Sequence, residues 1–93
     1  MKLMVAKMSN EYLHIAFHNI NPSDYQRFEN IINDREMAQD WLRYSGNCWI
    51  VWTDKKAMVW EEKFLPVLKK DEQFLILGLR NGSTVGFLPK SIS

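Results

Sequence analysis

Cysteine is almost absent from this chain. With Cys48 as its only one, no intrachain disulfide and no thiolate zinc cluster can form, and a lone thiol fits a reducing, cytoplasmic setting. Its neighbours Asn47 and Trp49 lie in an apolar strand-like run, and no histidine is close in sequence. Cys48 therefore reads as an inert packed thiol, not a nucleophile. Charge of one sign is also missing: twelve basic against eleven acidic residues leave a net charge of +1, so no strong global field advertises a nucleic-acid or membrane partner. No apolar run approaches the roughly 20 residues needed to span a bilayer. The opening MKLMVAKM is too short for a signal h-region and has no small-residue cleavage site; residues 1–10 read as an extra edge strand or a frayed terminus. There is no repeat, low-complexity tract or Pro/Gly/Ser-rich linker, so 1–93 reads as one domain with two layers. A Gly-rich phosphate loop, G-x-S-x-G and H-E-x-x-H are all absent. A small-molecule enzyme consequently ranks behind a binding module or a nuclease.

What is present begins with Leu13 to Tyr25. Tyr12, His14, Ala16 and His18 alternate with Leu13, Ile15 and Phe17, the period of a strand with two unlike faces. Asn19, Asn21, Pro22, Ser23 and Asp24 then break the alternation, with Asn21 placed to cap a helix that has Pro22 at its first position. Tyr25, Phe28, Ile31 and Ile32 form one apolar stripe at helical spacing, ending near Asn33 and Asp34. Residues 35–40 are polar and ambiguous. Trp41 to Thr53 supplies two apolar, aromatic runs split by Ser45, Gly46 and Asn47, a hairpin signal.

Thr53 and Asp54 are candidate caps for a second helix in which Ala57, Trp60, Phe64, Val67 and Leu68 line one side and Pro66 introduces a kink. A second reading pairs Ala57 to Trp60 with Trp49 to Thr53 and starts the helix at Glu61. Gln73 to Arg80 is a strand-length run that is apolar on both faces. Asn81 and Gly82 read as a turn, and Val85 to Leu88 as a last short strand.

The order strand, helix, strand, strand, helix, strand predicts an α+β, ferredoxin-like β-α-β-β-α-β sandwich, with two helices on one face of an antiparallel sheet and an extra short C-terminal strand. Cys48 to Trp52 and Phe74 to Leu79 are apolar at both alternating sets of positions, which would leave an exposed patch on a monomer. A homodimer packed through the open sheet face or an edge removes the contradiction. Four tryptophans in so small a chain point the same way.

Four segments bear a family likeness: Phe17-His18-Asn19-Ile20-Asn21-Pro22-Ser23-Asp24-Tyr25, the aromatic hairpin Trp41 to Thr53, Leu65-Pro66 late in the second helix, and Gly86-Phe87-Leu88-Pro89-Lys90. In their order and spacing over residues 11–93 the chain resembles the small SinR-like family, grouped with the CRISPR-associated adaptation nuclease fold and with VapD-type, toxin-like ribonucleases. The resemblance implies a ferredoxin-like homodimer that acts on or holds DNA or RNA. It also implies that an aspartate ends the first strand and, one from each protomer, holds a divalent metal near the dimer axis. His18 occupies that position here. Hard Mg²⁺ prefers oxygen ligands and imidazole suits transition metals, so the substitution argues against metal-dependent phosphodiester cleavage.

Asp24, six residues on, is better explained as a first-turn carboxylate than as a replacement ligand. His14 and His18 share a strand face but lie roughly 13 Å apart, too far to chelate one ion. Two copies of His18 across a two-fold axis could form half a zinc site or a metal-free acid/base pair for RNA cleavage, whereas a single histidine at such a junction is more often a hydrogen-bonded structural residue. Two functions stay open. One is a catalytically silent nucleic-acid-binding or scaffold module, gripping phosphates through Lys55, Lys56, Lys63, Lys69 and Lys70 or holding a protein partner. The other is an endoribonuclease working through His18. Residues 9–54 carry three basic and seven acidic side chains and residues 55–93 seven basic and four acidic, which also suits the ordinary solvated faces of helices.

Overall fold

The computed structural model describes residues 10–79. Residues 1–9 of the candidate edge strand 1–10, Arg80, the Asn81-Gly82 turn and the Val85–Leu88 strand lie outside them. Four strands form one sheet: β1 (Glu11–His18), β2 (Asp40–Ser45), β3 (Cys48–Thr53) and β4 (Gln73–Leu79). Two helices, α1 (Gln26–Ile32) and α2 (Ala57–Phe64), complete the architecture. The sheet order is β2-β3-β1-β4 with every neighbouring pair antiparallel. This small α+β layout is broadly compatible with the expected ferredoxin-like arrangement. No helix among the described residues is long and apolar enough to cross a membrane.

The alternation along β1 sorts the sheet's two faces. Leu13, Ile15 and Phe17 are buried together with Trp49 and Val51 from β3, and both helices pack onto this face through Phe28, Ile32, Trp60 and Phe64. Aromatic rings dominate the layer. Phe64 has the rings of Phe17, Phe28, Trp60 and Phe74 within 5.3–5.8 Å of its own centroid, the separation at which edge-to-face and offset pairs are favourable.

The N-terminal end of α1 differs in detail from a simple capped helix. Asn21 accepts the Ser23 N–H at 3.1 Å, but the turn it caps is a 3-10 turn over Pro22–Asp24, which hands over to α1 at Tyr25. Near the other helix, α2 begins at Ala57, so the hairpin alternative for Ala57 to Trp60 is not the structure adopted. The expected caps are displaced as well. Thr53 is buried at the end of β3, where its hydroxyl donates to the Met37 carbonyl at 2.5 Å and accepts the Lys55 N–H at 2.9 Å. Lys56 occupies the cap position with no side-chain bond. Pro66 does not kink a continuing helix. It sits in a 3-10 turn, Leu65–Val67, that ends α2, because proline has no N–H to extend the α ladder. The ambiguous segment 35–40 contributes two core residues, Met37 and Ala38.

The opposite face has no covering element among the described residues. Register places Tyr12, His14 and Ala16 of β1 beside Trp52, Ile50 and Cys48 of β3 and beside Leu79, Leu77 and Leu75 of β4. Leu75 and Leu77 are 55% and 48% exposed, and Tyr12 is 45% exposed. Among the described residues Asp40 is the only Asp, Glu, Lys or Arg that the register puts on this face, and it stands at a corner on edge strand β2.

Candidate functional site

The end of β1 opens into a polar cleft of about 470 Å³ lined by Phe17, His18, Asn19, Ile20, Asn21, Tyr25 and Asn47. Each wall has a local cause. Asn19 takes φ 65°, the left-handed region that asparagine tolerates better than most residues, and so turns the chain out of the strand. Its side-chain amide donates to the Asp71 carbonyl at 2.8 Å, fastening the junction to the loop before β4, where Asp71 itself has φ 71°. On the other side Asn47 closes the hairpin onto β1. Its amide donates to the Phe17 carbonyl at 2.8 Å, and its own carbonyl accepts the Phe17 N–H at 2.9 Å. His18 is exposed on the rim of this cleft, opposite Gln73 in register.

The acidic and basic groups near the junction are engaged with one another. Arg27 makes a two-pronged contact with Glu72 at 3.0 and 2.7 Å, donates to the Val67 carbonyl, and reaches Asp24 at 3.1 Å. Lys69 meets Asp24 at 3.0 Å. The Lys69 ammonium holds the Asp24 carboxyl below its ordinary range, and the Arg27 guanidinium does the same to Glu72. This network stitches α1 to the loop between α2 and β4. It also accounts for Asp24, which serves as an ion-pair partner at the start of α1.

The cleft's donor set does not fit a hard divalent cation. His18 has amide side chains for neighbours in the cleft, and among the described residues no three His, Cys, Asp or Glu side chains come together as a metal cluster. A magnesium-type ion asks for several anionic or neutral oxygens at near-ideal geometry. One chain offers an imidazole and asparagines, a set suited to hydrogen bonding and proton transfer.

The five lysines stand at the two ends of α2 and in the loop that follows it. Lys55 and Lys56 lie at the start of α2, with Lys55 3.7 Å from Asp54. Lys63 stands exposed in the last turn of α2, roughly 10 Å along the axis from Lys56. Lys69 is the one that reaches the junction, and there Asp24 neutralises it. Lys70 is exposed in the following loop.

A second polar feature interrupts the open face of the sheet. The His14 Nε2 and Tyr44 hydroxyl share a hydrogen bond, with ring centroids 5.5 Å apart. Desolvation lowers the basicity of His14, and it raises Tyr44 to about 12, with the neighbouring Cys48 side chain adding to the shift. Tyr44, Asn47 and the Arg27–Glu72 pair have no signal in the sequence as site residues. Their partners are 30 to 45 positions away, and only the sheet register brings them together.

No family model, curated protein or solved structure matches the chain.

Proposed function

We propose that this protein is a self-associating scaffold module: a cytoplasmic, ferredoxin-like homodimer of the SinR-like, CRISPR-adaptation-nuclease-related kind, joined through its open sheet face and without metal-dependent phosphodiester chemistry. The observation that carries the reading is the uncovered face itself. It presents Leu75, Leu77 and Tyr12 about half exposed to solvent, and among the described residues its only carboxylate or basic side chain in register is the corner residue Asp40. Four strands about 4.8 Å apart and some six residues long at about 3.4 Å each give a plan area of roughly 400 Å². Side-chain relief makes the accessible area larger than this plan area, to be set against the ~800 Å² per partner of an ordinary stable interface.

The same face is a poor platform for nucleic acid. Binding a polyphosphate strand depends on cations beside the stacking rings, and this face supplies none among the described residues. Any DNA or RNA would instead engage the helical side, where Lys56, Lys63 and Lys70 have no ion-pair partner among the described residues. Dimerisation leaves that side open, so the two activities of a scaffold, self-association and salt-sensitive binding, are compatible.

A metal-free endoribonuclease is the second reading, and the polar cleft beside His18 favours it. An exposed imidazole beside a polar, solvent-open cleft is the minimum equipment for moving a proton from a ribose hydroxyl. The test joins both readings. Mass in solution is measured by light scattering, and cleavage of a single-stranded RNA is followed for the wild type and His18→Ala. A dimer that leaves RNA intact supports the scaffold; cleavage that disappears in His18→Ala supports the nuclease. A monomer would remove the basis of the first reading.

A further inference from the structure

We propose that the face-to-face dimer is gated by protonation of His14, which sits at the centre of the interface and makes assembly weaken as the medium becomes acidic. The gate rests on the dimer reading above and concerns the same face.

His14 lies at the middle of β1, one of the two central strands, with Ile50 directly opposite on β3 and Leu77 directly opposite on β4. Its side chain is half-buried already in one protomer. Titratable groups on this face are few. Tyr44 is its hydrogen-bond partner from β2, and Cys48 lies one diagonal away on β3. Tyr12 and His18 share its own strand, β4 contributes only leucines and Gln73, and Asp40 stands at the far corner of β2. Among the described residues no carboxylate is therefore placed to compensate a positive charge at the centre.

The chemistry of the pair makes the effect one of charge. With neutral imidazole either ring nitrogen tautomer can satisfy Tyr44, the hydroxyl donating to a bare Nε2 or accepting from a protonated one. In the imidazolium form only the second arrangement is possible, and the hydrogen bond persists. What changes is solvation. Open to water on one side, the protonated ring is tolerated; once a second copy covers it with leucine, isoleucine and tryptophan, its hydration is lost without a counter-ion.

The sign follows from linkage. Burial already depresses His14 in the protomer, and the dimer depresses it further. The monomer then binds more protons than the dimer as pH falls below the ordinary histidine range, so proton uptake drives dissociation. Association is at full strength above that range. Each dimer holds two copies of the group. If covering the face lowers the proton affinity of each His14 about threefold, the dimer dissociation constant rises about tenfold across the titration.

Sedimentation velocity over a protein dilution series, at about pH 8 and about pH 5 and constant ionic strength, tests the gate. The expected result is a dimer whose dissociation constant is about tenfold larger at the lower pH, a difference abolished by His14→Gln and retained by His18→Gln. Equal association at the two pH values, or a pH dependence that survives in His14→Gln, overturns the gate while leaving the dimer intact. A monomer at the higher pH overturns the dimer reading and the gate with it. Should His14→Gln fail to fold, an NMR titration of the wild-type His14 ring proton decides instead. Its midpoint lies lower in concentrated, dimeric protein than in dilute protein, and identical midpoints refute the proposal.

Discussion

Phe64→Ala is the sharpest probe of the layer on which the site is built. Phe64 is completely buried at the last position of α2, and four other aromatic rings surround it. Truncating it removes apolar area and leaves a void that rings fixed on β1, α1 and β4 cannot fill by small shifts, so the expected cost is about 3–5 kcal/mol. A domain of this length has a total stability on the order of 5–14 kcal/mol, so the loss is about a fifth or more of what exists. With a urea slope of about 1–2 kcal/mol/M, the midpoint falls by about 1.5–5 M. Urea unfolding at fixed protein concentration, followed by the fluorescence of buried Trp49 and Trp60, measures it directly. The comparison is Leu65→Ala, one residue on but 52% exposed, with an expected loss of less than about 1 kcal/mol. Similar midpoints for the two variants would refute the placement of α2 against the sheet.

Other outcomes follow from the junction and the open face. Asp24 and Glu72 titrate below their ordinary values in the folded chain; their contribution is present above those values and is lost as pH falls through the lowered folded ones. Glu72→Gln should accordingly flatten the acid limb of a stability-versus-pH curve below pH 4.5, the ordinary value for glutamate, and an unchanged limb would contradict the role given to Arg27. Asn19→Val, forcing a β-branched residue into φ 65°, should lose about 1–3 kcal/mol by urea unfolding while Asn19→Gly stays within about 1 kcal/mol of wild type. Charge reversal of Lys56, Lys63 and Lys70 together should remove whatever salt-sensitive binding to single-stranded RNA or DNA a filter assay detects, and binding that survives would place the contact elsewhere.

Most of the scaffold was legible in the residue pattern because burial imposes period on strands and helices alike. The alternation of Leu13, Ile15 and Phe17 with Tyr12, His14 and Ala16 anticipates which side of β1 meets the helices. Phe28 and Ile32 do the same for α1, and the Ser45–Asn47 break for the hairpin. Local chemistry near helix ends was harder to read. Thr53 has the side chain of a cap, yet a buried hydroxyl finds a better partner in the Met37 carbonyl, a contact made by tertiary packing alone. Met37 and Ala38 escaped notice for a similar reason, since two apolar residues in a polar turn carry no period. At the site, the sequence drew attention to His18 and the asparagines around it. It could not indicate that Asn47 would bind Phe17, 30 positions away, or that Lys69 would neutralise Asp24 and Glu72 would pair with Arg27, because charge pairing across 45 positions depends on the crossover from α2 to β4.

The central claim is that the uncharged sheet face joins two copies. Sedimentation velocity of the wild type beside Leu77→Lys, at about pH 8, tests it most directly. Leu77 is 48% exposed in the protomer and lies opposite His14 at the middle of that face, so a lysine there should be tolerated by the fold and not by the interface. The wild type should sediment as a dimer and the variant as a folded monomer. A wild type that sediments as a monomer, or a variant that remains as dimeric as the wild type, would contradict it.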